Sequence, residues 1–159
     1  MDADQLREVI VELYENRPEA KNYLEYWIDP NPDKVIEEYK KSIFKIFFMS
    51  EGRPRKSPDF TELKKLLKYF FTLYLSDEQN IDLKLYSTEI YLLWLQSRNK
   101  VMSHEKRATA MCNELSEDID SYNMTELFGL RYERLNSDFK ELFERGDLKS
   151  RRGWRRWYR

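Results

Sequence analysis

Apolar residues recur along this chain at helical spacing, and most runs are opened by a residue type that caps helices. Leu6, Val9, Ile10, Leu13 and Tyr14 fall at i, i+3, i+4, i+7 and i+8, which predicts a first helix capped by Asp2 or Asp4. Asn16-Arg17-Pro18 interrupts it, and Pro18 suits the first turn of a second helix reaching about Ile28, with Tyr23, Leu24, Trp27 and Ile28 as its apolar set. Asn31 caps and Pro32 opens a third helix, which runs to about Met49 through Val35, Ile36, Tyr39, Ile43, Ile46 and Phe47. Ser50 to Lys56 reads as a loop. Ser57 is the expected cap of a fourth helix built on Leu63, Leu66, Leu67, Phe70, Phe71 and Tyr74. Ser76-Asp77-Glu78-Gln79 has the capping-box pattern and starts a fifth, carrying Leu83, Tyr86, Ile90, Leu93 and Trp94.

The second half is written more faintly. Lys100 to Leu115 is helical by propensity, but its apolar face is thin: Val101, Met102, Ala108, Met111 and Leu115. Ser121 to Met124 reads as a break and Gly129 as a further boundary. A last helix on Leu127, Leu130, Leu135, Phe139, Leu142 and Phe143 ends near Gly146, which suits a left-handed C-terminal cap. No stretch alternates with period two. The expected fold is therefore all-α, an irregular bundle of about six or seven helices with no sheet. The expected organisation is one helical domain over residues 1–148, apolar-rich to 97 and more polar from 98, followed by a tail at 149–159.

Composition narrows the chemistry. At 159 residues one domain is the natural size, and 4 Gly leave little material for a glycine-cradled nucleotide site. The single cysteine, Cys112, excludes an internal disulfide. Met1 to Gln5 has neither the basic region nor the apolar core of a signal peptide. The longest apolar run, Ile90 to Leu95, is far short of the roughly 20 residues of a membrane span. No membrane span and a cytoplasmic location are the expectations. The net charge of −1 hides an asymmetry. Lys149, Arg151, Arg152, Arg155, Arg156 and Arg159 crowd the tail without an acid, so 22 of the 28 basic residues remain to face 29 acidic ones.

Residues 6 to about 95 resemble an uncharacterised bacterial family, one of the domains of unknown function. The resemblance is carried by Leu6-Arg7-Glu8-Val9-Ile10-Val11-Glu12-Leu13-Tyr14, by Asn31-Pro32-Asp33-Lys34 leading into Val35 to Lys40, and by the basic loop Gly52 to Lys56. It implies an all-helical fold and no activity.

One histidine and one cysteine leave most catalytic and metal signatures without their residues. Zinc sites need several Cys or His ligands, and a di-iron bundle wants Glu three residues before its His, where Val101 precedes His104. Asp29-x-Asn31-x-Asp33 begins like a calcium loop but puts Lys34 where glycine is required. No metal and no cofactor are expected. His104 and Cys112, eight apart, lie about 12 Å from each other along a helix, too far for a nucleophilic pair.

Two segments stand out. Arg98-Asn99-Lys100-Val101-Met102-Ser103-His104 resembles the Arg-x(4–6)-His motif of the higher eukaryote and prokaryote nucleotide-binding ribonucleases, helical proteins in which a polar residue follows the arginine, as Asn99 does here. That resemblance implies that Arg98 stabilises phosphate charge and His104 handles a proton during attack by an RNA 2′-hydroxyl. The ordinary expectation for such a string is a solvated helix end. The tail interleaves Arg151, Arg152, Arg155, Arg156 and Arg159 with Trp154 and Trp157. It suits phosphate contact and base stacking, docking on the acidic body, or a free terminus. With 4 Trp, 11 Tyr and 9 Phe, the chain has rings to spare for a partner surface. The leading expectation is a non-enzymatic helical interaction module, binding a protein or a second copy. The alternative is RNA processing or nucleic-acid binding through Arg98, His104 and the tail.

Overall fold

The computed structural model describes residues 1–28, 31–73, 76–98 and 101–146. These residues form seven α-helices and one 3-10 turn, with no strand among them: α1 Ala3–Asn16, α2 Pro18–Ile28, α3 Pro32–Phe47, α4 Phe60–Phe71, α5 Asp77–Gln96, the turn Met102–His104, α6 Glu105–Ser121 and α7 Thr125–Glu144. The fold is all-α, as expected. Among the described residues, extended pairing is confined to an isolated antiparallel bridge between Phe48 and Pro54, which closes the 48–54 loop.

Capping chemistry places most of the helix starts. The Asp2 carboxylate accepts from the backbone N–H groups of Asp4 and Gln5, and Gln5 reaches back to complete a capping box. Asn31 accepts from Lys34 N–H, and Ser76 with Gln79 forms the anticipated box ahead of α5. The fourth helix corrects the expectation: Asp59, not Ser57, accepts from the N–H groups of Thr61 and Glu62. Aspartate is the stronger choice there, because its charge also meets the positive helix end. Gly129 is a second correction. It lies inside α7, which runs unbroken to Glu144. The break expected over Ser121 to Met124 is found there, with Asn123 at a φ of 55° between α6 and α7. Gly146, at φ 66°, donates its N–H to Phe143 C=O and ends α7 in the left-handed conformation anticipated for it.

The core is organised around α5. Ile81, Leu83, Leu85, Ile90, Tyr91, Leu92, Trp94 and Leu95 are buried on several sides of it, so α5 packs against α3, α4, α6 and α7 at once. A helix with buried positions on several faces is a helix surrounded. Ser87 and Thr88 are buried beside these residues, and both hydroxyls donate to the Lys84 carbonyl, which satisfies them within the helix.

Charge closes the rim. Arg131 of α7 donates through Nε and Nη2 to the two oxygens of Glu89, at 2.6 and 2.7 Å, and through Nη1 to Asp82 at 2.6 Å. Lys40 of α3 reaches the other Asp82 oxygen at 2.9 Å. Burial alone would raise the Asp82 carboxyl, but the Lys40 and Arg131 contacts overcome it and hold the group below its ordinary range. On the other side Lys84 pairs with Glu114 and Asp118 of α6.

The first helix departs most from the sequence reading. Its predicted apolar face does not enter the core, and α1 has no buried residue. It packs against α2, which in turn rests on the core through Tyr23 and Tyr26 while Trp27 and Ile28 stay 69% and 80% exposed.

Candidate functional site

Tyr91, Trp94 and Arg98 follow one another at helical spacing, and they lead off the C-terminal end of α5 toward the 3-10 turn. Trp94 is the floor of the site. Its indole N–H donates to the Arg55 carbonyl at 2.8 Å, which fixes the 48–56 loop against α5. Arg55 N–H in turn donates to Phe47 C=O, and its Nε to Lys45 C=O. The Arg98 guanidinium lies over the Trp94 ring, 4.4 Å from its centroid. The His104 ring meets the same indole edge-on, with centroids 5.1 Å apart. Sequence resemblance paired Arg98 with His104, and the structure brings both onto one tryptophan. The expectation of a merely solvated helix end is thereby corrected: both side chains are half-buried and packed.

A tyrosine completes the imidazole's surroundings. Tyr91 is buried, and its hydroxyl stands 3.0 Å from His104 Nδ1. Burial pushes the phenol far above its ordinary value, although Arg107 pulls the other way, so Tyr91 keeps its proton at any physiological pH. His104 moves down from 6.5, first through burial and then through the charges of Arg107 and Arg98. The imidazole is therefore neutral near pH 7. With its proton on Nδ1, donated to the Tyr91 oxygen, Nε2 is a free base. With Tyr91 donating instead, Nε2–H is an acid.

Positive charge gathers around this pair. Arg107 extends from the first turn of α6 over the Phe60 ring, 3.9 Å from its centroid, and Phe60 packs edge-on against Tyr91. Arg98 shows what the site lacks. Its Nε and Nη2 are buried and donate to no partner among the described residues, whereas the same guanidinium edge of Arg131 grips Glu89. That edge matches two oxygens of a carboxylate or phosphate. Burial also lowers the pKa of Arg98, though arginine stays charged across the physiological range.

Asn99 lies outside the described residues, as do Arg151, Arg152, Trp154, Arg155, Arg156, Trp157 and Arg159 of the tail. Cys112 is buried in the core, and burial pushes its thiol up to about 11, which suits packing and not nucleophilic work. No group of three His, Cys, Asp or Glu side chains that could hold a metal occurs among the described residues. A separate cavity of about 490 Å³ lies on another side of α5, between Phe44, Leu93, Leu135 and Arg131, and the Arg131 charge there is already matched.

Sequence reasoning missed Tyr91 and Arg107 as site residues and read Trp94 as core alone. The signal was present in the spacing 91, 94, 98 and 104, 107, which puts Tyr91 two turns and Trp94 one turn before Arg98, and Arg107 one turn after His104.

No helix among the described residues is long and apolar enough to cross a membrane. No curated protein and no solved structure matches the chain. The sequence model of a family of unknown function, DUF6155, matches residues 1–144, well beyond the 6–95 stretch whose helix punctuation pointed to such a family, and the chain belongs to that family.

Proposed function

We propose that the protein binds and cleaves RNA at the Arg98–His104 pair without a metal. The observation that carries this reading is the convergence of the two side chains on Trp94, with Arg107 nearby and the Nε/Nη2 edge of Arg98 without a partner among the described residues. In the proposed reaction His104 Nε2 takes the proton of a 2′-hydroxyl, and the 2′-oxygen attacks the adjacent phosphorus. The P–O5′ bond breaks, leaving a 2′,3′-cyclic phosphate and a 5′-hydroxyl whose proton comes from the imidazolium or from water. Arg98 meets the charge that builds on the phosphoryl oxygens, and Arg107 adds to the field that draws the polyanion in. Arg151, Arg152, Trp154, Arg155, Arg156, Trp157 and Arg159 would supply additional phosphate and stacking contacts.

The test is cleavage of single-stranded RNA by the full chain and by Arg98→Ala and His104→Ala. Expected are products ending in a cyclic phosphate, a loss of at least about a hundredfold in either variant, and no cleavage where the scissile nucleotide is 2′-deoxy. Equal rates for wild type and His104→Ala, or no RNA binding at low salt, would overturn the reading. A second reading, a non-enzymatic helical interaction module in a cytoplasmic setting, is favoured by a different observation, the exposed apolar face of α1.

A further inference from the structure

We propose that Tyr91 is the positioning residue of His104: its hydroxyl pins the imidazole at Nδ1 and turns Nε2 outward as the nitrogen that meets a substrate. The proposal deepens the nuclease reading, on which its catalytic consequence rests.

Tyr91 is held as a fixed point. It is wholly buried. Its ring packs against Phe47 of α3, Phe60 of α4 and Phe139 of α7, with centroids 5.8, 5.3 and 6.2 Å away. A ring wedged among three helices besides its own has no room to swing, so its hydroxyl marks one place in the fold. His104 has less support of its own. It closes a 3-10 turn and meets both Trp94 and Tyr91 edge-on. The 3.0 Å contact between the Tyr91 hydroxyl and Nδ1 is what fixes the rotation of that imidazole. The two nitrogens of the ring diverge, so Nε2 then points away from Tyr91.

A hydroxyl suits this place better than a carboxylate would. It both donates and accepts, so it can hold Nδ1 bare or protonated. When Nε2 takes a proton, Nδ1–H goes on donating to the phenol oxygen and the ring stays where it was. A carboxylate would instead stabilise the imidazolium and retain the proton. The charged groups facing His104 are Arg98 of α5 and Arg107 of α6, both positive. With a neutral phenol beside them, the imidazolium is poised to pass its proton on.

His104 is the chain's single histidine, so a histidine-selective NMR spectrum reports it alone. Tyr91→Phe keeps the ring and removes only the oxygen. The Nδ1 resonance should move and Nε2 much less. On single-stranded RNA, kcat should fall at least about tenfold while KM stays within about twofold, the mark of lost positioning and not of lost binding. Circular dichroism checks that the variant is folded. The wild type supplies a measure that needs no variant: imidazole Hε1, which flanks Nδ1, should show a nuclear Overhauser contact to the Tyr91 ring that Hδ2 lacks. A missing contact, or an Nδ1 resonance unmoved in Tyr91→Phe, would overturn the pinning. A moved resonance with unchanged kcat would overturn the positioning role. A pinned imidazole in a protein that cleaves no RNA would sink the nuclease reading alone and leave Tyr91 as the residue that fixes Nε2.

Discussion

His104 is the residue on which most of the local physics converges. Because burial, Arg107 and Arg98 depress its pKa in the folded state, its contribution to stability is whole above the unfolded value and is lost as pH falls through the folded one. Between roughly pH 7 and pH 5, thermal unfolding of the wild type should therefore lose more ground than unfolding of His104→Asn. Arg107→Gln removes one depressing charge and should shrink the acid loss toward that of the histidine-free variant. An Arg107→Gln protein with an unchanged pH profile would show that the charge does not reach the imidazole. The Arg98 and His104 pairing was legible from a seven-residue string, but its packing was not. Periodicity assigns a side chain to a face and carries no information on what crosses over from other elements, here the loop carbonyl of Arg55 and the ring of Phe60.

At the scale of helices, punctuation was the readable part. Asp2, Asn31 and Ser76 cap as their side chains dictate, because an N-terminal cap is a bond within one turn of chain. Gly129 misled for the complementary reason. A glycine inside a helix is disfavoured by only about 1 kcal/mol, a cost that tertiary packing of Phe128, Leu135 and Phe139 overrides. An alanine Cβ at position 129 would meet one side-chain methyl, Thr125 Cγ2, at 3.3 Å, and that methyl can give way. Gly129→Ala should then raise stability, by up to about 1 kcal/mol, in urea unfolding. A loss would mean that Thr125, whose hydroxyl faces Asp120 at the start of α7, cannot move. The face of α1 was legible as a stripe, but a stripe states only that a helix is two-sided. Whether the apolar side meets the core, or a second molecule, is settled by elements far along the chain.

For the molecule as a whole, the ion network on Arg131 does what no single helix can. It links α3, α5 and α7 through Lys40, Asp82 and Glu89. Arg131→Ala would leave two carboxylates, each about a quarter to a third exposed, without their shared partner. The expected loss is about 1–3 kcal/mol, below that of a fully buried pair because water still reaches the group. A loss under about 0.5 kcal/mol in urea unfolding would place the network with ordinary surface pairs. None of these partners could be matched from the sequence, since they lie more than 40 residues apart and carboxylates and bases are abundant throughout.

The central position of α5 also bears on how the chain is made. A ribosome delivers residues in order, and α3 emerges well before the helix that forms its largest interface. Until Asp77–Gln96 has cleared the exit tunnel, Ile43, Ile46 and Phe47 have only α4 and the neighbouring loop to cover them. The nascent chain is thus most vulnerable to aggregation in the interval after α3 and α4 have emerged and before α5 has. Helices α6 and α7 then arrive to find their docking surface already in place.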